Sequence, residues 1–210
     1  MAVPVSAVGV CMLSLDLLKS DEVVSSIEEP ESTVEDLCAR WYPVIKRAVL
    51  RAYPWNFARK RDTFSRSGTP DNYADEYQLP LDYLGLVFIG EDMDSEYQTD
   101  FFVEGDKILI DNDGASSLQV AYIHDVEEVG DFDPIFLQLL VHELALVLSA
   151  KVTGLNKSTK KVTADRDRWE VKARSKNAQE NPPRRRYVSI LGNARRRGRR
   201  SSLSDGVHLF

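Results

Sequence analysis

Residues 32–58 read STVEDLCARWYPVIKRAVLRAYPWNFA, and the way this stretch starts and stops decides the fold. Ser32 followed three residues later by Glu35 is a capping box, in which each side chain satisfies one orphan backbone N–H at the start of a helix. Val34, Leu37, Cys38, Trp41, Ile45, Ala48, Val49 and Ala52 then recur at three- and four-residue steps. That spacing predicts one apolar stripe against a core, with Glu35, Arg40, Lys46, Arg47 and Arg51 turned to water. Pro43 conflicts with its surroundings, because an interior proline deletes a backbone hydrogen bond and clashes with the carbonyl four residues back; a kink is expected over residues 39–43. Tyr53-Pro54 ends the helix, since the residue before a proline is driven out of helical geometry.

Downstream the character changes. Short runs rich in Val, Ile, Phe and Tyr, separated by Gly, Asp and Pro, predict an antiparallel β insert over residues 56–125. Its clearest hairpin pairs residues 101–104 with 107–110 around Gly105-Asp106, where glycine supplies the positive φ of a tight turn. Further strands are expected at 83–89, 118–123 and 57–64. Asp133-Pro134 then places an N-cap before a proline at the first helical position, opening an apolar helix over 134–153 broken only by Gln138, His142 and Glu143. Residues 157–179 predict a polar outer helix with Val162, Trp169 and Ala173 on a narrow stripe and Glu170 four residues before Arg174. Upstream, residues 5–19 are apolar or small on nearly every face and predict a buried first helix, which an acidic linker with Pro30 joins to the capping box. The class is therefore α+β: an antiparallel bundle of four helices with an inserted antiparallel sheet (residues 1–180), followed by an extended C-terminal tail (181–210).

A chain that is 43% hydrophobic and 29% charged lies far from the disordered and membrane classes. Its net charge of −6 hides a division: residues 182–210 hold eight arginines and one acid, giving +7 there and −13 on the rest. Opposite fields suit different partners for body and tail. The tail has one hydrophobic island, Tyr187-Val188-Ser189-Ile190-Leu191, too small to offset chain entropy by itself, and is expected to order only on a partner. Cys11 and Cys38 lie in helical stretches, too far apart for a CxxC pair, and read as buried free thiols. The run at 2–18 lacks a basic leader, carries Asp16 and is too short to span a bilayer, so synthesis and action without export or membrane insertion are expected.

The motifs of common chemistry are missing from the sequence. It contains no Walker A loop, GxGxxG or GxSxG. His142-Glu143 begins an HExxH, but the second histidine would stand where Leu146 is, which excludes that zinc site. Asp111-Asn112-Asp113-Gly114 departs from a calcium loop because position 122 is Tyr122 and not glutamate; a β-turn is expected there. Asp92, Asp94, Glu96 and Asp100 form a solvated acidic loop or, alternatively, a cation site. Neither a cofactor nor a resident metal is expected. The run Arg195-Arg196-Arg197-Gly198-Arg199-Arg200 fits a solubilising tail, a nucleic-acid tail or a segment docking on an acidic protein; interleaved aromatics that would stack on bases are lacking.

The order of features resembles a known family. An apolar first helix is followed by a helix carrying Trp41-Tyr42-Pro43 and ending Ala52-Tyr53-Pro54-Trp55-Asn56-Phe57-Ala58, then Tyr77-Gln78-Leu79-Pro80-Leu81-Asp82-Tyr83, then Phe132-Asp133-Pro134-Ile135-Phe136 opening a helix with Glu143-Leu144-Ala145. From Val5 to Trp169 the chain is similar to the head-to-tail adaptors of short-tailed bacteriophages, the tail tubular protein A-like connectors. The resemblance implies a non-catalytic virion protein at the head–tail junction, assembled in the host cytoplasm. It would form a homo-oligomeric ring, typically a dodecamer, that sits beneath the portal protein and joins the tail nozzle or fibres. Genomic DNA would pass through its channel without specific binding, and no membrane would be involved. The family's C-terminal extensions commonly reach the portal. Tyr187, Val188, Ile190 and Leu191 are accordingly the expected buried anchors for portal docking, with Arg184, Arg185, Arg186, Arg195, Arg196, Arg197, Arg199 and Arg200 as charge partners. Trp41, Tyr53, Trp55 and Phe57 are expected in the core and at the helix–sheet junction. The rival readings are a nucleic-acid-binding accessory protein using the arginine tail, an enzyme with a metal at the acidic loop, and a head-completion connector of a long-tailed phage.

Overall fold

A computed structural model describes residues 6–70, 73–90, 101–152 and 157–180, all within the compact unit Met1–Glu180. The acidic loop at 92–100 and the whole C-terminal tail, with every residue expected to dock on a portal, lie outside the described residues. Four α-helices and six strands follow in the order α1 (Ala7–Leu18), α2 (Thr33–Ala52), β1 (Arg59–Gly68), β2 (Asp75–Gln78), β3 (Tyr83–Ile89), β4 (Phe101–Glu104), β5 (Lys107–Ile110), β6 (Ser117–His124), a 3-10 turn (Val129–Asp131), α3 (Pro134–Val152) and α4 (Lys157–Glu180). The fold is α+β, with every strand between α2 and α3.

One antiparallel sheet runs in the order β3-β6-β1-β2-β5-β4. The apolar β6 takes an inner place between β3 and β1, because its Leu118, Val120, Ala121, Tyr122 and Ile123 are all buried. The Gly105-Asp106 hairpin is present, with Gly105 at φ 59°. Two strands depart from the expectations. β1 begins at Arg59 and runs on to Gly68, and β2, Asp75-Glu76-Tyr77-Gln78, was not foreseen. Both are poor in apolar residues; β1 buries only Phe64, and β2 buries Asp75 and Tyr77. They are strands because neighbours distant in the chain complete their ladders.

α3 is long and apolar enough to cross a membrane by length and composition alone, yet it packs against α1, α2 and α4 and buries Phe136, Leu140, Leu144 and Leu148 completely or nearly so. Asp133 caps it, accepting from the N–H groups of Ile135 (2.8 Å) and Phe136 (3.1 Å). The buried Ser14 hydroxyl donates to Val141 O at 3.0 Å and ties α1 to α3. On α4, Val162 and Ala173 are buried and Trp169 partly so, and Arg174 meets Glu170 at 2.6 Å, as the spacing predicts. α2 continues helical through Pro43, which lies on the exposed side, where the Ala39 carbonyl it leaves unpaired can be hydrated.

The face that α2 buries differs from the expected one. Leu37, Cys38 and Val49 are buried as predicted, but so are Glu35, Tyr42, Lys46 and Leu50, whereas Trp41, Ala48 and Ala52 are exposed. On a helical wheel the buried arc is turned by about 70° from the predicted stripe. Glu35 and Lys46, expected in water, are inside because each finds polar partners, Glu35 in the linker that precedes α2 and Lys46 far along the chain at Asp125 and Val126. Three of the eight residues of the apolar stripe are thus exposed among the described residues.

Candidate functional site

Two of the stretches that carry the family resemblance meet at the junction of helices and sheet. Trp55, fully packed, donates its indole N–H to Val49 O at 2.8 Å, closing the end of α2. Its ring lies 5.1 Å from Tyr53 and 5.2 Å from Phe136. Phe57 stands 4.8 Å from Phe136 and 5.9 Å from Phe132. Tyr53, Trp55 and Phe57 thus join the junction as expected, while Trp41 is 41% exposed and outside it. The end of α4 is clasped to the same place: Asn177 Oδ1 accepts from Asn56 N (2.7 Å), Asn177 O accepts from Asn56 Nδ2 (2.9 Å), and Asn177 Nδ2 donates to Pro54 O (3.2 Å).

Two buried charges fasten α2. The Glu35 carboxylate accepts from Ser25 Oγ (2.6 Å), Ser25 N (2.8 Å), Glu31 N (2.8 Å) and Ser32 N (3.0 Å), so the linker between α1 and α2 is wound around it. The Ser25 hydroxyl, followed by those backbone donors, holds its pKa well below the usual carboxylate range. Lys46 Nζ lies 2.7 Å from Asp125 Oδ1 and donates to Val126 O at 2.9 Å, while Arg47 Nε reaches Asp125 Oδ2 at 2.6 Å. Burial works to raise the Asp125 pKa, but the hydrogen bonds and charges of Lys46 and Arg47 outweigh it and the net direction is down. Both carboxyls therefore bind a proton less readily folded than unfolded. Their stabilising contribution is complete above their ordinary values, 4.5 and 3.8, and falls away as the pH drops below these toward the folded values. Wild-type protein is expected to lose thermal stability steeply below about pH 4.5, and Glu35→Gln, which cannot titrate, to show a shallower acid limb in melts taken across that range.

Other polar residues singled out in the sequence that lie within the described residues have structural partners. His142 is buried, its Nδ1 2.7 Å from Gln138 O and its ring 6.4 Å from Trp169. Glu143 sits 3.0 Å from Arg166 Nε; burial raises its pKa, opposed by that guanidinium. The Asp111–Gly114 segment is a turn, with Asp113 and Gly114 at positive φ. It folds onto Asp75, whose Oδ2 accepts from Asn112 N (3.1 Å) and Gly114 N (3.0 Å) and whose Oδ1 is 2.5 Å from Arg66 Nε. Asp75 was missed in the sequence, having no motif; its carboxylate anchors the turn through these backbone N–H groups. Among the described residues no group of three or more His, Cys, Asp or Glu is placed to hold a metal ion. Cys11 and Cys38 are both free and fully buried, yet they touch across α1 and α2; the hydrogen bond with Cys38, then burial, pushes the Cys11 thiol up and keeps it protonated.

Several large apolar side chains are exposed, Leu81, Val23 and Val171 among them. Trp41 (41% exposed), Val44 (53%), Ala48 and Ala52 form a bare strip along α2. Beside it a groove of about 180 Å³, lined by Ile45, Ala48, Trp55, Leu139, Glu143 and Arg174 among others, runs between α2, α3 and α4. At the far end of the sheet, among the described residues β4 pairs only with β5, and Phe101, Phe102 (52%) and Val103 are all exposed, the Phe102 ring lying 5.5 Å from that of Tyr73. Successive residues of a strand point to opposite faces, so this edge strand exposes apolar side chains on both faces among the described residues. No protein-family model matches the chain, and no curated protein matches it significantly.

Proposed function

We propose that this chain is the subunit of a phage head-to-tail adaptor: a non-catalytic ring that docks beneath the portal protein, prolongs the DNA channel and connects to the tail nozzle. In this reading the helices are the antiparallel bundle of that family and residues 181–210 are its portal-reaching extension. The observation that carries it is the exposure, among the described residues, of apolar side chains on α2 and on the edge strand β4, beside helices and a sheet that enclose two cores. Monomeric proteins cover or charge such surfaces, and an apolar edge strand left bare invites association; a subunit made to be flanked by copies of itself presents them. The order of sequence features supports the particular assembly. The acidic body, −13 outside residues 182–210, suits a passage that must let DNA slide, because like charge weakens phosphate adhesion.

In this reading the arginine tail grips the portal, with Tyr187, Val188, Ile190 and Leu191 as anchors. Truncation after Asn181 is expected to leave the thermal unfolding of the body unchanged and to weaken binding to the portal ring at least tenfold, about 1.4 kcal/mol. Unchanged binding would remove the tail from that role. The alternative, a nucleic-acid-binding accessory protein, rests on the eight tail arginines. It predicts retention on DNA that collapses between low and moderate salt, where a hydrophobically anchored ring persists.

A further inference from the structure

We infer that Cys11 and Cys38 are a redox pair: on oxidation they form a disulfide that staples α1 to α2, and on reduction they return to two free thiols. The inference stands apart from the adaptor reading. Both thiols are free and without exposed surface, they belong to one core cluster, and the helices that carry them are in contact. A hydrogen bond joins them. Cys11 S–H donates to Cys38 Sγ, which holds the Cys11 thiol protonated and draws the Cys38 pKa down against the effect of burial. Sulfurs in such contact need only small side-chain rotations to bond, whereas a buried thiol among apolar neighbours has nothing to react with and stays inert.

Tyr42 supplies a second observation. It lies one turn beyond Cys38 on the buried face of α2, is 7% exposed, and its hydroxyl has no hydrogen-bond partner. Burial, followed by the charge on Cys11, pushes its pKa up to about 12, so the phenol keeps its proton. An unused O–H donor is thus held beside the pair, free to bond an oxygen carried by an oxidised sulfur.

The chemistry balances with a peroxide as oxidant, small and uncharged enough to enter as α1, the first helix of the chain, opens locally. The Cys38 thiolate attacks one oxygen of hydrogen peroxide: the S–O bond forms, the O–O bond breaks, and the departing hydroxide takes the Cys38 proton to become water, leaving a sulfenic acid. Cys11 sulfur then attacks Cys38 sulfur. The S–S bond forms, the S–O bond breaks, and the second hydroxide leaves as water with the Cys11 proton. Two thiols are oxidised and one peroxide is reduced to two waters; a dithiol such as dithiothreitol reverses the bond by exchange. The closed loop contains the linker wound around Glu35 and the capping box, so the oxidised chain holds α1 against α2 by a covalent bond as well as by packing. In the adaptor reading a subunit folds with this pair open inside the host and is locked once the particle reaches an oxidising medium.

The test uses the full-length chain, purified reduced and then treated with millimolar hydrogen peroxide. The expected product is a monomer lighter by two hydrogens, with Cys11 joined to Cys38 in a peptide map. Its thermal midpoint is expected about 5–10 °C above that of the reduced chain, and dithiothreitol is expected to return both mass and midpoint. Cys38→Ala is expected to abolish the gain in midpoint. If that variant fails to fold, the wild type carries the test by alkylation after denaturation, with both thiols modified in the reduced chain and neither in the oxidised one. Two alkylatable thiols after peroxide would overturn the pair, as would a bond between two copies or oxidation of each sulfur separately to an acid. A linked chain whose midpoint is no higher than that of the reduced chain would overturn the staple.

Discussion

Replacing Asp125 by alanine lowers the stability of the protein by about 3–4 kcal/mol, read as a fall of about 10 °C in the thermal midpoint. The effect comes from what is stranded more than from what is lost. Lys46 is 7% exposed, and apart from Asp125 its partner is the Val126 carbonyl, which cannot neutralise it. Removing the carboxylate leaves a buried ammonium without a counter-charge, which is far more costly than the pair itself is stabilising. The geometry predicts an asymmetry. Lys46→Met leaves Asp125 still bonded to Arg47, which is exposed to solvent, so it costs much less than Asp125→Ala. Joining both changes in one chain recovers most of the loss. Equal costs for the two single substitutions would show that Arg47 does not hold Asp125 by itself.

Phe136→Ala is expected to cost about 4 kcal/mol, within the range for removing a fully buried aromatic side chain. Phe136 has no exposed surface and its ring meets Trp55, Phe57 and Phe132, so its loss opens a cavity where α2, α3 and the start of the sheet converge. Chemical denaturation followed by Trp fluorescence reads both the loss of stability and the change around Trp55. Phe136→Leu, which refills part of the space, is expected to cost about half as much. A small effect from the alanine variant would mean that the junction is not the keystone between helices and sheet.

The parts of this fold that sequence displays are those governed by near neighbours. The capping box at Ser32 and Glu35, the Asp133 cap, the Gly105 turn and the apolar runs of β3, β5, β6 and α3 all follow from residues within a few positions of each other. Glu35 and Lys46 misled because their partners are Ser25 and Asp125, and a charge is read as outward unless its distant partner is known. That error also shifted the expected face of α2, since the true buried arc runs through Tyr42, Lys46 and Leu50. β2 and the second half of β1, beyond the expected end at Phe64, were obscured by charge; the charged Arg59-Lys60-Arg61-Asp62 within the expected strand is held because β6 lies beside it residue for residue, Lys60 opposite Tyr122 and Asp62 opposite Val120. The contact between Cys11 and Cys38 could not be read without knowing that α1 and α2 bring those residues together. The candidate surfaces were half legible. The α2 stripe was visible as apolar, but only the folded chain separates the part that faces the core from the part that faces outward.

The most direct test of the adaptor reading is co-sedimentation of the full-length protein with the portal ring of the same virus at moderate salt, followed by electron microscopy of the pellet. The account predicts a stoichiometric collar of this protein on one end of the portal. No association with the portal, together with retention on DNA that disappears as salt is raised, would contradict it.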